Sequence, residues 1–496
     1  MRGQLALAEH ESGRIRRVNK MTLARAARRA REGFDDFVHS KLYIAFIAVV
    51  AYVLWYSENL LAAIAVLGVT GGLVLALVRD MVPMVPFVTM APCVVHVDKM
   101  PGELWQYALA VLPVVAGLAI HIACYRRNKV VSPKSNLLAM ALLVVAMALG
   151  GLFSPAAQDG MTAFINVLYV GVAPLGVYFF VKLYGEAKCR LGDYAAAVMA
   201  IWGILTAAQA VTVIGGAYAD GIDIASNGYV PRLGWGNSNV YPTVLMMCMA
   251  FNFYFMGKSW KLVVPYAFLT GIQFACVMYA HSRGALIFTI VVIAAGLIAV
   301  TVYNRKNPLY WAVLAVALAA LALVLTFYWE RLTLILGNTF EDKLQSSGRD
   351  YLYIEALDRF FENPMFGAGF GYVGYVTRLH TESGFYQLHS TLFQTLGSMG
   401  LVGVLAMAYV YVMRYYTVFA RATRVKIFFF IAMIGFEGYS LINTSTFTGL
   451  PCMTVIYMLL ALFELEMAHN AGDIPVGATV KQLLAGRREV WKKKRA

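Results

Sequence analysis

Apolar residues fill this chain in blocks of the length that crosses a bilayer as a helix, about 20 residues each, and polar residues collect in the gaps. Such blocks occur near 41–57, 60–79, 104–125, 136–153, 161–184, 194–218, 239–257, 261–280, 284–303, 309–329, 389–413, 425–446 and 450–468. A further block, 81–97, is short and carries Pro83, Pro86 and Pro92, so its length alone is compatible with a re-entrant segment. Charge decides. If 81–97 crosses, the basic gaps all fall on one side: the N-terminal arm, "YRRNK" at 125–129, "KSWK" at 258–261, "NRKN" at 304–307, 414–426 and the tail. That puts 33 of 41 Lys+Arg on one side and 8 on the other. If it does not cross, every later basic gap changes side, against the cytoplasmic bias of Lys and Arg. The pattern predicts an all-α, polytopic integral membrane protein of about fourteen transmembrane helices with both termini cytoplasmic.

The expected organisation follows. Residues 1–40 are a basic cytoplasmic arm, 41–329 hold transmembrane helices 1–11, and 330–388 are a long extracytoplasmic loop. Residues 389–468 hold helices 12–14, and 469–496 are a basic cytoplasmic tail. Composition agrees: 60% of residues are hydrophobic and 14% charged, against about a quarter charged in soluble domains. The net charge of +14 suits nucleic acid or a membrane surface. Its confinement to one set of gaps favours the membrane, and no nucleic-acid partner is expected. "RIRRVNKMTLARAARRAREGF" and "GRREVWKKKRA" read as basic helices on anionic lipid, or as solvated ends that set topology. Six cysteines lie in or near apolar runs without metal or disulfide spacing and read as small core hydrophobes. No early apolar region predicts a cleavable signal.

The loop 330–388 contains "FGAGFGYVG", in which Gly369, Gly371 and Gly374 form a literal GxGxxG. A dinucleotide site needs a strand before such glycines. Here "SSGRDYLYIEALDRFFENP" precedes them. That stretch predicts an amphipathic helix over 349–363, with Tyr353, Ala356, Leu357, Phe360 and Phe361 on one face, capped by Ser346 or Ser347 and stopped at Asn363-Pro364. The predicted side also lacks ATP and NAD. The glycines therefore read as a flexible turn that folds the loop back over the membrane.

Eight basic residues remain outside: Lys99, Arg232, Arg283, Arg331, Lys343, Arg349, Arg359 and Arg378. Arg283 and Arg349 open predicted helices, and Arg232 lies just before another. A helix N-terminus opposes a cation by a few tenths to about 1 kcal/mol. It also offers free N–H groups to phosphate. An arginine there suits a diphosphate clamp; taken singly, each is equally an interfacial residue reaching lipid headgroups. His389, in "FYQLHSTLF", begins a span on the same side and is a candidate base. His281, His380 and Glu382 are its rivals, and the ordinary alternative for each histidine is a capping or core role. Glu437 is an intramembrane carboxylate, hence a functional candidate or an arginine's partner.

"YAHSRGALI", then "GRDYLYIEALDRFFENPMFGAGFG", then "HSTLFQTLGSMGLVG" resembles the signature block of the O-antigen ligase/polymerase superfamily over roughly 280–405. Upstream, "GWGNSNVYPTVLMM" with Asn237 and Asn239 resembles the family's asparagine-bearing start of a span. The chain departs from the family where Ser390 follows the histidine in place of Asn, and in its eleven predicted spans before the long loop. The resemblance implies a metal- and cofactor-independent glycosyltransferase at the outer face of a bacterial inner membrane. Its donor would be an undecaprenyl-diphosphate-linked oligosaccharide and its acceptor a glycan or glycolipid hydroxyl, with a chain-length regulator as a further partner. Arg283 and Arg349, joined by Arg232, would hold the diphosphate, and His389 would face the acceptor. Tyr386, Glu382, His380, Glu437, Asn237 and Asn239 would support them. The extra spans and the His-Ser pair favour a polymerase over a ligase that loads lipid A-core. A lipid-linked oligosaccharide flippase is the reading from another class.

Overall fold

The computed structural model describes residues 32–96, 104–125, 135–154, 164–222, 224, 229–327, 329–340, 349–370, 373–376, 381–385, 388–447 and 452–469. The basic arm before 32 and the tail after 469 lie outside the described residues, as do the expected helix caps Ser346 and Ser347. Helices are numbered in chain order. The first half holds α1 Glu32–Val38, α2 Lys41–Tyr56, α3 Leu60–Leu77, α4 Met84–Met90, α5 Leu104–Cys124, α6 Leu137–Leu149, α7 Ala173–Tyr184 and α8 Leu191–Ala219. The second half holds α9 Val240–Lys258, α10 Val263–Met278, α11 Arg283–Asn304, α12 Pro308–Phe327, α13 Trp329–Phe340, α14 Arg349–Glu362, α15 Thr391–Phe419, α16 Arg424–Ser440 and α17 Cys452–His469. Among the described residues, eight helices are long and apolar enough to cross a membrane, with α1 and α2 forming a further pair bent by 69°. The chain is almost wholly helical. The exception is a hairpin, β1 Val373–Val376 against antiparallel β2 Thr381–Phe385. This corrects the purely helical expectation for the long loop. Val373, Tyr375, Val376, Thr381 and Phe385 are residue types that favour strand over helix.

The short proline-bearing stretch between α3 and α5 runs from one end of the bundle to the other. At one end, the Asp80 carboxylate accepts from the Val82 and Glu186 amides and lies 2.7 Å from His39 Nε2. At the other end, His96 Nε2 lies 2.9 Å from the Trp55 carbonyl and its ring stacks on the Trp55 indole. His39 precedes α2 and Trp55 is near its end, so residues 80 and 96 sit at opposite ends. Helix α4 and the 3-10 turn Ala91–Val94 are too short to span as regular helix. The flanking backbone is buried in protein, where Gln209 Nε2 donates to Cys93 O.

This return makes α3 and α5 parallel. Gly68 faces Ala110, while Gly72 faces Pro113 and Gly117. A Cβ on any of these glycines would collide with the facing backbone. Small residues four apart let two membrane helices approach this closely. At the centre of the bundle, α9 packs on α8, α10, α11 and α16. Its membrane-length window is 94% buried, as expected of a helix apolar all round.

Helix α15 is broken where the glycine stretch meets it. Gly400 has φ +58° inside the helix. The freed carbonyls of Gly397 and Ser398 accept from Ala368 N and Gly369 N at 2.7 and 3.0 Å. The freed amides of Leu401 and Val402 donate to Pro364 O and Met365 O at 2.8 and 3.2 Å. Every backbone group released by the break finds a partner in residues 364–369, as an apolar surrounding demands. Gly367, at φ +66°, lies so close that a Cβ would come within 2.6 Å of the Ser398 backbone. In the described part of the stretch, the expected flexible turn is instead a backbone clamp.

Candidate functional site

One end of the bundle gathers the starts of α9, α11, α14 and α15 and the end of α16. A cavity of about 50 Å³ opens there, lined by Asn237, Asn239, Val240, Thr243, His389, Asn443, Ser445 and Cys452. These residues come from three separate stretches of chain. Polar side chains at the ends of membrane helices find partners in one another, and here they form a network. Asn239 Oδ1 accepts from the Ser282 hydroxyl and the Tyr439 hydroxyl, each at 3.0 Å. Asn443 Nδ2 donates to the Tyr439 hydroxyl at 2.9 Å.

His389 sits just before α15 with φ +48°, a conformation that a non-glycine residue holds only when its surroundings impose it. They do so from both sides. Gln394 Oε1 accepts from Leu388 N at 2.9 Å, and Ser390 is the N-cap whose hydroxyl accepts from Phe393 N. The Tyr353 hydroxyl donates to the His389 carbonyl at 3.3 Å, and the Tyr353 ring stacks on Phe393 at 4.3 Å. Burial, then the nearby Arg349 guanidinium, pull the His389 imidazole below its ordinary pKa, while a hydrogen bond with Asn443 opposes them. The ring is therefore neutral near pH 7 and can accept a proton. His281 repeats the arrangement, with φ +52° before Ser282 and the first turn of α11.

Arg349 opens α14 as expected and donates through Nη1 to the Ile442 carbonyl at 2.9 Å. It is thereby held next to Asn443 and within electrostatic reach of His389. Arg283 opens α11 directly after Ser282, whose hydroxyl is in the Asn239 network. Arg232 is exposed, and among the described residues no contact ties it to the cavity. Its loop is pinned elsewhere, with the Trp55 indole donating to Leu233 O. Arg359 forms ion pairs with Glu355 and Glu362 on its own helix, at 2.8 and 3.0 Å. The face that α14 buries carries Leu352, Glu355 and Ala356, whereas the expected Phe361 is exposed.

Glu437 is an arginine's partner. It pairs with Arg414 at 2.5 Å and accepts from the Tyr415 hydroxyl. Arg414 is fully buried on α15, so it does not belong to the basic cytoplasmic gap in which its sequence position placed it. His380 and Tyr386 lie outside the described residues, as does the side chain of Glu382 in β2. Of the cysteines, Cys93, Cys248, Cys276 and Cys452 are buried and Cys124 is exposed. Sequence reasoning did not single out Tyr439, Asn443, Ser282 or Thr243 for the site. The visible signal was "GYSLINTST", a polar cluster closing an apolar span.

The fold and cavity define a polytopic membrane protein with a polar, arginine-flanked site at one end of its bundle. Residues 266–408 match the family model described as O-Antigen ligase. That match places the chain in the O-antigen ligase/polymerase superfamily. The matched residues include Arg283, Arg349, the glycine stretch and His389; Asn237, Asn239, Tyr439 and Asn443 lie outside them. No curated protein and no solved structure matches the chain.

Proposed function

We propose that this protein is a metal-independent polysaccharide polymerase of the cell envelope, working at the extracytoplasmic face of a bacterial inner membrane. In this reading about fourteen segments cross the bilayer, with both termini in the cytoplasm. It moves a glycan from an undecaprenyl-diphosphate carrier to a sugar hydroxyl on another lipid-linked glycan. The observation that carries the reading is the meeting of Arg349 and His389, forty residues apart in sequence, beside one polar cavity.

The acceptor hydroxyl attacks the anomeric carbon, a new glycosidic bond forms, and the carbon–oxygen bond to the diphosphate breaks. The leaving diphosphate takes the electron pair. Arg349 and Arg283 stabilise its growing charge, a role worth about 3–4 kcal/mol for a well-placed donor. Arg349 spends one donor on Ile442 O, and a guanidinium has five. His389 takes the hydroxyl proton, worth roughly 10²–10⁴-fold.

The family's description favours a second reading, in which the same chemistry loads a glycan onto lipid A-core. Reconstitution with a synthetic undecaprenyl-diphosphate oligosaccharide separates the two. A polymerase makes a ladder of lengths without added acceptor. A ligase makes one transfer, and only with a core acceptor. Translocation without any transfer would overturn both in favour of a flippase.

A further inference from the structure

The amide of Asn443 has its orientation set by its neighbours. Its Nδ2 donates to the Tyr439 hydroxyl at 2.9 Å, and its Oδ1 accepts from Thr444 N at 2.9 Å. Turning the amide over would set Nδ2 against the Thr444 N–H, donor against donor. The Tyr439 hydroxyl carries one hydrogen, which goes to Asn239 Oδ1 at 3.0 Å. Hydrogen bonds thus run one way, from Asn443 through Tyr439 to Asn239. The imidazole of His389 lines the same cavity and is hydrogen bonded to Asn443. With Nδ2 engaged, what Asn443 offers it is the second lone pair of Oδ1. The imidazole must then donate an N–H. His389 Nδ1 is buried and has no hydrogen-bond partner, so the donating nitrogen is Nε2.

We propose that Asn443 is a positioning residue that fixes His389 as the Nε2–H tautomer and leaves the Nδ1 lone pair to receive the proton of the acceptor hydroxyl. This rests on the glycosyl-transfer reading for its chemistry, but not for its geometry. As the acceptor O–H bond breaks, an Nδ1–H bond forms and the ring becomes an imidazolium that still donates Nε2–H to Asn443. The other groups placed against His389 are Arg349, the charged one, and Tyr353, both from α14. Arg349 opposes the new positive charge on its own, and the diphosphate leaving beside it offsets that opposition. A fixed tautomer matters because a base presenting N–H to the hydroxyl is no base.

The test is nitrogen NMR of ring-labelled histidine in nanodisc-embedded full-length protein, with the His389 signal assigned by difference from His389→Gln. The wild type is expected to show Nε2 protonated and Nδ1 bare at neutral pH. In Asn443→Ala the two tautomers should exchange and transfer should fall about 10²-fold. Asn443→Asp, which keeps the acceptor oxygen, should retain the Nε2–H form. Tyr439→Phe, which removes the partner of Nδ2 at little cost in shape, should loosen the tautomer in the same direction as Asn443→Ala. A wild-type Nδ1–H tautomer would overturn the assignment without any variant having to fold. So would an unchanged Nε2–H signal in folded Asn443→Ala. The spectra do not depend on transfer, so a wild type that shows the expected tautomer yet transfers nothing disproves the proposed function and not the positioning.

Discussion

Arg349 and Arg359 share one helix but differ in what they hold. Arg359 is spent on two carboxylates of α14. Arg349 is held by a carbonyl, and among the described residues no carboxylate pairs with it, so its charge remains for an anion. Arg349→Ala and Arg283→Ala should each lower transfer by about 10²–10³-fold, the loss expected for a donor to a charged transition state. Expression and gel-filtration profile should be unchanged. Near-normal turnover in both would remove the diphosphate clamp. The pH dependence is set by His389, whose pKa lies below its ordinary value of about 6.5. The unfolded chain therefore binds this proton more readily than the folded one. Stability at this residue is lost as pH falls below the unfolded value, and is constant above it. The base form likewise persists to mildly acidic pH. The acid limb of the rate profile should fall below pH 6.5, and Arg349→Gln should raise the His389 pKa in an NMR titration. An acid limb above pH 7 would contradict both the burial and the base assignment.

At the scale of elements, the decisive feature is the break in α15. Sequence reading found the glycines, the helix before them and the span after them, but took the glycines as a source of freedom. A glycine is equally a means of close approach, and which role it plays depends on what the fold sets against it. Here the other side is a second glycine-bearing backbone. Gly367→Ala and Gly400→Ala should each destabilise the protein by at least about 1–2 kcal/mol, from the left-handed backbone alone. Both should also lower transfer, because α15 carries His389 at its start. Gly216→Ala is the control, since open space surrounds that helical glycine, and it should be neutral or slightly stabilising. Thermal unfolding in detergent, read beside transfer, separates the three; equal melting of all of them would refute the clamp. The buried pair of Arg414 and Glu437 joins α15 to α16 below this break. Arg414→Leu should cost about 3–5 kcal/mol by leaving a carboxylate buried alone, and the added Glu437→Leu should restore much of it. A double variant no more stable than the single one would show that the pair is not the cause.

For the whole molecule, much follows from the chain's pattern alone. Lengths of apolar runs and the one-sided placement of Lys and Arg suffice for a polytopic helical membrane protein, because a bilayer tolerates only backbone that satisfies itself. The same pattern favours passage of the proline-bearing stretch 81–97, and the parallel contact of α3 with α5 fits that reading. The motif order from Arg283 to His389 suffices for the superfamily. Other properties exist only once the helices pack. Glu437 could be told from a catalytic carboxylate only when Arg414 was seen against it, and the two are apart in sequence by six helical turns. The network of Asn239, Ser282, Tyr439 and Asn443 joins three chain segments, and nothing local in any of them indicates the others. A sequence specifies which groups are costly to bury unpaired. Only the tertiary structure decides which group meets which, because that choice depends on the packing of several helices at once.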